Sequence, residues 1–141
     1  MYIDLKSAFD KVWHKGVLYK LAKMGINGHL AKWINNYLQN RSIKVNIKAT
    51  LSDPIPLNNG VPLGAILSPL LFDVMLNDFP SNSDIKVYSY AIDITISVKG
   101  NKVDDLKRKM QLNLRKVENW FDTWGLMLSP EKNSTQIFTR K

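Results

Sequence analysis

Ile85-Lys86-Val87-Tyr88-Ser89-Tyr90-Ala91-Ile92-Asp93-Ile94-Thr95-Ile96-Ser97-Val98 is the stretch on which the fold turns. Apolar and polar residues alternate on both sides of Tyr90 to Asp93, as in strands with one buried face, so the stretch predicts strands over 85–89 and 94–98 joined by a hairpin. One carboxylate, Asp93, sits at the bend. A second, Asp4, lies in the strand-like start Tyr2-Ile3-Asp4-Leu5. Two such segments can converge on a cation, with one carboxylate from each. An isolated Asp at a strand end more often caps or turns the chain.

Between these segments the period changes several times. Residues 12–24 place Val17, Leu18, Leu21 and Met24 at helical spacing, with Lys15, Lys20 and Lys23 elsewhere on the surface. Gly28 to Gln39 predicts a second helix packing through Leu30, Trp33, Ile34, Tyr37 and Leu38. From Arg41, alternation of Ile43, Val45, Ile47 and Ala49 with Ser42, Lys44, Asn46 and Lys48 predicts a strand with a basic wet face. Residues 52–56 and Asn58-Asn59 read as turns, and Ser68-Pro69 opens a helix to Asp78 with Leu71, Val74, Met75 and Phe79 inward. A long amphipathic helix follows over 103–124, its apolar positions being Leu106, Met110, Leu114, Val117, Phe121 and Trp124. Gln136-Ile137-Phe138 predicts a last strand ending in Arg140-Lys141. The order gives an α+β layer architecture in which helices back an antiparallel sheet.

The 141 residues suit one domain or a piece of one. Lys and Arg number 20 against 12 Asp and Glu, a net charge of +8, and the pI is near 9.7. Such a balance favours polyanions through phosphate neutralisation, although many basic proteins bind none. The absence of cysteine excludes a disulfide scaffold and Cys-based zinc sites. No apolar run is long enough for a signal peptide or a membrane span.

Three segments in order, Tyr2-Ile3-Asp4-Leu5-Lys6-Ser7-Ala8-Phe9-Asp10, Gly60-Val61-Pro62-Leu63-Gly64 and Tyr90-Ala91-Ile92-Asp93, resemble the palm motifs of a reverse transcriptase, an RNA-directed DNA polymerase. The likeness is to the non-LTR, LINE/jockey-like retrotransposon enzymes, and it includes Leu67 to Phe72 and Trp124 to Lys132. It implies a polymerase palm-like sheet using RNA template, DNA primer, deoxynucleoside triphosphates and Mg²⁺, with Mn²⁺ as a substitute. It also implies that residues 1–141 are a palm fragment without the start of the fingers or the thumb, because Met1 opens directly on the first motif. No endonuclease-like region accompanies it. A nuclear location follows only from the family's life cycle.

Carried over residue by residue, the resemblance makes Asp4 a ligand of both ions and Asp93 the second, less critical aspartate of the hairpin. Lys132 lies near the lysine that protonates pyrophosphate, with a solvated surface lysine as the alternative. Leu5 would help to seat the triphosphate through its backbone, and Phe9 would lie under the sugar and exclude a 2′-hydroxyl. Gly60, Pro62 and Gly64 would let the backbone approach base pair and primer, while Asp10 is structural. Two positions depart from the pattern. Ile92 stands where the family has an aspartate, and Leu63 where it has a glutamine that holds the incoming nucleotide. Neither side chain offers a hydrogen-bonding atom, so catalysis is expected to be lost or nearly so. Two other readings stay open: a non-catalytic module that binds nucleic acid through its basic faces, and a remnant without selected function.

Overall fold

The computed structural model describes residues 1–139; Arg140 and Lys141 lie outside them, with the end of the expected last strand. In chain order the elements are β1 (Tyr2–Ile3), α1 (His14–Lys23), α2 (Gly28–Leu38), β2 (Arg41–Ile43), β3 (Asn46–Ile47), β4 (Thr50–Leu51), β5 (Ile55–Leu57), α3 (Leu67–Leu76), β6 (Ile85–Tyr90), β7 (Asp93–Val98) and α4 (Val103–Trp124). The chain is α+β, as the sequence implied. It divides into two compact units, residues 1–8 with 76–141 and residues 9–75.

The first unit is built on the quoted stretch. β6 and β7 pair antiparallel from Ile85 opposite Val98 to Tyr90 opposite Asp93, leaving a two-residue turn of Ala91 and Ile92. β1 joins the free edge of β7, giving the order β1-β7-β6. Opposed residues share a face of the sheet. Ile3, Ile94, Ile96 and Ile85 therefore point together and are buried, while Tyr2, Asp93, Thr95 and Tyr88 lie on the other face. α4 packs on β7 and occupies the span that the sequence predicts.

Its buried stripe is shifted from the expected one. Asn113 and Trp120 join Val117 and Phe121, whereas Leu106, Met110, Leu114 and Trp124 are only half-buried. Both additions carry polar atoms with partners: Asn113 accepts from Asn82 at 2.6 Å and donates to the Lys109 carbonyl, and the Trp120 indole donates to Asp78 at 2.9 Å. Period alone discards such residues because it ranks side chains by polarity, not by available partners. The expected strand over 136–138 does not form. Pairing at the end of the chain comes instead from isolated bridges, Leu128 with Leu5 and Ser134 with Tyr2, and Ile137 and Phe138 stay exposed.

In the second unit α1 packs on α2, and Val17, Leu21, Ile34, Leu38, Leu71, Phe72, Val74 and Met75 are buried. Lys20, read as a surface residue, is buried instead, with its ammonium on the Met75 carbonyl. A cation there complements the C-terminal end of α3. Leu30 and Trp33, expected to pack, are exposed, and so is Met24. The expected single strand from Arg41 is a jointed hairpin. β2 pairs with β5 and β3 with β4, and Lys48 and Ala49, both at positive φ, make the turn. Two consecutive positive φ values are the type I′ pattern, usually signalled by Asn-Gly, so neither residue betrayed it. Ile55 and Pro56, read as part of a turn, supply the returning strand together with Leu57.

Edge-to-face contacts link Phe121 to Phe79 and Trp120, with ring centroids 5.8 and 5.3 Å away. Phe121 is 1% exposed. Its replacement by Ala should cost about 3–5 kcal/mol, through lost burial plus an unfilled cavity. Urea unfolding of the Phe121→Ala variant checks this, and a loss below about 1 kcal/mol would show that the cluster collapses to fill the gap.

Candidate active site

The register of β1 on β7 decides what the open face of the first unit can do. Tyr2 pairs with Thr95 and Ile3 with Ile94; strand alternation continued by one residue would carry Asp4 toward Asp93, on the face away from the isoleucines. Opposed residues of antiparallel strands have Cβ atoms about 4.5–5.5 Å apart, near enough for two carboxylates to meet one cation. The Tyr2 phenol donates to Asp93 and feels the charge of Asp4 as well, so both aspartates that the sequence nominated lie near this residue.

Asp4 is held by its backbone. Its N–H donates to Asn133 Oδ1 at 2.9 Å, and its carbonyl accepts from Ser129 N–H at 3.0 Å. The bonds flanking the Leu5–Leu128 bridge, Lys6 N–H to Met127 and Ser129 N–H to Asp4, do not use Leu5's own N–H and C=O. The Leu5 side chain is buried. Lys132 closes a short 3₁₀ turn (Pro130–Lys132) and sets its ammonium 3.6 Å from Asp4 Oδ2. The Asp4 side chain is 13% exposed and that of Lys132 66%, a half-solvated pair worth at most about 1 kcal/mol. Asp93 accepts a hydrogen bond from the Tyr2 hydroxyl. That bond, with the negative charges of Asp93 and Asp4 nearby, moves the Tyr2 phenol above its ordinary range.

Sequence reading missed Asn133 and Tyr2. Asn133 carries no local signal, since it acts through a bridge of the chain end. Tyr2 was legible, because strand alternation puts residue 2 on the face of residue 4.

Ala91 has φ 51°, the left-handed region, and leads the turn. A single positive φ at the first central position is the type II′ pattern, which favours glycine. The hairpin is therefore strained where the acidic face ends. Ile92 follows, half-buried, with no oxygen beyond its peptide. Among the described residues no three His, Asp or Glu side chains gather to hold a metal. Two carboxylates, one beside an ammonium and one beside a phenol, match a hard cation in kind. They fall short of the donor set that a pair of ions would share.

The remaining nominated residues belong to the second unit. Phe9 opens a 3₁₀ turn (Phe9–Lys11) and is half-buried, its ring centroid 5.4 Å from that of Phe72. The 60–64 loop is tied to this turn. Gly60 N–H donates to Val12 O at 2.8 Å and Val61 N–H to Phe9 O at 2.9 Å. The Gly60 carbonyl meets His14 Nε2 at 2.7 Å and accepts from Arg41 at 2.9 Å. Neither His14 nor Arg41 was nominated from sequence. Gly60 has φ +85°, and a Cβ there would lie 2.9 Å from the Asp10 carbonyl oxygen, so only glycine fits. Pro62 accepts from buried Ser68 Oγ, Gly64 is also at positive φ, and Leu63 is 72% exposed.

A model of the family described as reverse transcriptase (RNA-dependent DNA polymerase) matches residues 1–140. The chain belongs to the reverse transcriptase family. Similar proteins include the RNA-directed DNA polymerase from mobile element jockey of Drosophila melanogaster, 28% identical over 148 residues, covering 99% of this chain and 16% of that protein. The probable RNA-directed DNA polymerase from transposon BS of the same fly is 30% identical over 149 residues, covering 100% and 16%. A Pol polyprotein from the type-1 retrotransposable element R2 of Popillia japonica is 23% identical over 143 residues, covering 92% and 23%. This reverse transcriptase chain spans less than a quarter of the length of each of these relatives. No helix among the described residues is long and apolar enough to cross a membrane.

Two substitutions separate the scaffolding of the site from its chemistry. Asn133→Ala leaves the Asp4 N–H without its acceptor and should cost about 1–3 kcal/mol; an unchanged urea midpoint would show that water replaces the amide. Gly60→Ala should cost at least about 1–2 kcal/mol from the positive φ alone, with the Asp10 contact added. Thermal unfolding checks this, and a stability equal to the parent's would mean that the loop can leave the 9–12 turn freely.

Proposed function

We propose that residues 1–141 are a palm segment of an RNA-directed DNA polymerase of the non-LTR retrotransposon kind, whose metal centre lacks one carboxylate. The observation that supports this reading is the pairing of β1 with β7, which ends one residue before Asp4 and Asp93 and beside a hairpin turn holding Ile92. In the parent chemistry two Mg²⁺ ions, or Mn²⁺ in their place, would activate a primer hydroxyl and grip a deoxynucleoside triphosphate. Asp4 and Asp93 remain to hold a cation, and Lys132 is placed to neutralise Asp4 when none is bound. Leu63 cannot give the hydrogen bond that a glutamine offers to an incoming nucleotide. Phe9, anchored on Phe72, keeps the bulk suited to excluding a 2′-hydroxyl. RNA template, DNA primer and a nuclear site of action belong to the same reading.

A second reading, a non-catalytic module that binds nucleic acid through its basic faces, is supported by the net charge of +8 and needs no metal. Its affinity would fall steeply with salt.

The test of the first reading is Mn²⁺ binding by the native chain and by Ile92→Asp, followed by calorimetry or by the paramagnetic ion's resonance. Losing groups that merely orient ligands costs about 10–100-fold in metal affinity, so restoring a direct carboxylate should tighten binding at least tenfold. Adding Asp4→Asn should abolish the gain. Equal affinity of the native chain and the Ile92→Asp variant would overturn the reading.

A further inference from the structure

Within residues 9–75 lies a cavity of about 540 Å³, walled by the start of α1, the end of α2 and residues 57–59. Its size falls inside the ~300–1,000 Å³ of small-molecule sites. None of the residues assigned above to nucleotide or metal lines it. Its chemistry is specific: Leu18, Leu38 and Leu57 supply apolar surface, and five carboxamides come from Asn35, Gln39, Asn40, Asn58 and Asn59. Trp13, a residue 42% exposed, adds an aromatic side chain, Lys15 a cation and His14 an imidazole. No carboxylate lines the cavity.

We infer that this cavity binds a nucleotide, its base against Trp13 and the carboxamides and its phosphate toward Lys15. Each carboxamide carries both a donor and an acceptor, the combination that reads the edge of a base, whereas an apolar ligand would offer these groups no partner. One internal bond, Gln39 Nε2 to Asn35 Oδ1 at 2.9 Å, fixes two of the amides and leaves the other half of each group for a ligand. His14 is held by the Gly60 carbonyl and so acts as wall. Exposed aromatic rings stack any base, because every base has a π-face. A cationic lining without acid selects the phosphorylated form over a neutral ring compound. The inference shares with the proposed function only the premise that this chain handles nucleic acid, and it does not depend on a metal.

The test follows the indole N–H signals of the four tryptophans by nuclear magnetic resonance, in EDTA, with a single-stranded 12-nucleotide oligoadenylate and, separately, adenosine monophosphate. Trp13→Phe identifies the Trp13 signal, and the other three tryptophans serve as internal references. The oligonucleotide should shift Trp13, and Trp13→Ala should weaken binding roughly 5- to 150-fold. Lys15→Ala, at an exposed position, should lower the slope of log affinity against log salt by about one. Asn58→Ala, also exposed, should weaken binding without changing that slope. A shift of Trp13 by the monophosphate at similar affinity makes the ligand a free nucleotide; a shift by the oligonucleotide alone makes it a unit of a strand. Either supports the site. An unmoved Trp13 signal under both ligands, or a salt slope indifferent to Lys15, overturns it. The EDTA keeps this result separate from the Mn²⁺ titration, so either can fail alone.

Discussion

The pairing of β1 with β7 is the constraint on which the acidic face depends. Strand side chains alternate strictly, so a slip of one residue would send Asp4 into the isoleucine layer and bring Ile3 into water. Burial of Ile3 and Ile94 therefore fixes where the carboxylates stand. Support comes also from the chain end. Asn133 and Ser129 hold the Asp4 backbone after the short strand has ended, and the Ser134 bridge to Tyr2 extends the same edge. Apolar packing sets the register, and hydrogen bonds then hold the carboxylate at the sheet's end.

The second unit is organised around a different constraint, the approach of the Gly60 backbone to Asp10. A 2.9 Å contact for a hypothetical Cβ leaves no room for a side chain, and the φ of +85° leaves no easy conformation for one. In return the Gly60 carbonyl gathers His14 from α1 and Arg41 from β2. Three segments distant in sequence meet on one peptide, which positions the 60–64 loop beside the Phe9 turn. This scaffold is intact even though Leu63 carries no polar group. Gly60 and Ser68 hold the loop through its backbone, and the exposed Leu63 side chain takes no part in that support.

Much of this was legible in sequence where one physical signal dominates. Alternation over 85–98 gave the hairpin, the 3.6-residue period gave α4 to both ends, and the motif spacing gave the family. Where competing signals met, the reading failed. Lys20 looked like a surface cation, yet it is buried on the Met75 carbonyl, because a helix end can satisfy a charge that composition assigns to water. The strand from Arg41 kept its alternation but broke into two short pairs around a positive-φ turn at Lys48-Ala49, residues with no turn preference. Leu30 and Trp33 kept helical spacing and yet lie exposed, because period reports amphipathicity and not burial. Asn133 and His14 act through contacts far along the chain, which a local pattern cannot carry. The strain at Ala91 was hidden for the same reason that the turn was not: Tyr90 to Asp93 marks a bend, but not its handedness.

On the proposed reading the carboxylate missing from the hairpin, and not a collapsed scaffold, limits nucleotidyl transfer. Extension of a DNA primer on an RNA template by the native chain, with Mg²⁺ and with Mn²⁺, decides between the two. No extended product is expected with either ion while Asp4 and Asp93 stand alone. Metal-dependent incorporation of deoxynucleotides by the native chain, lost on Asp4→Asn, would contradict the claim and show that two carboxylates suffice.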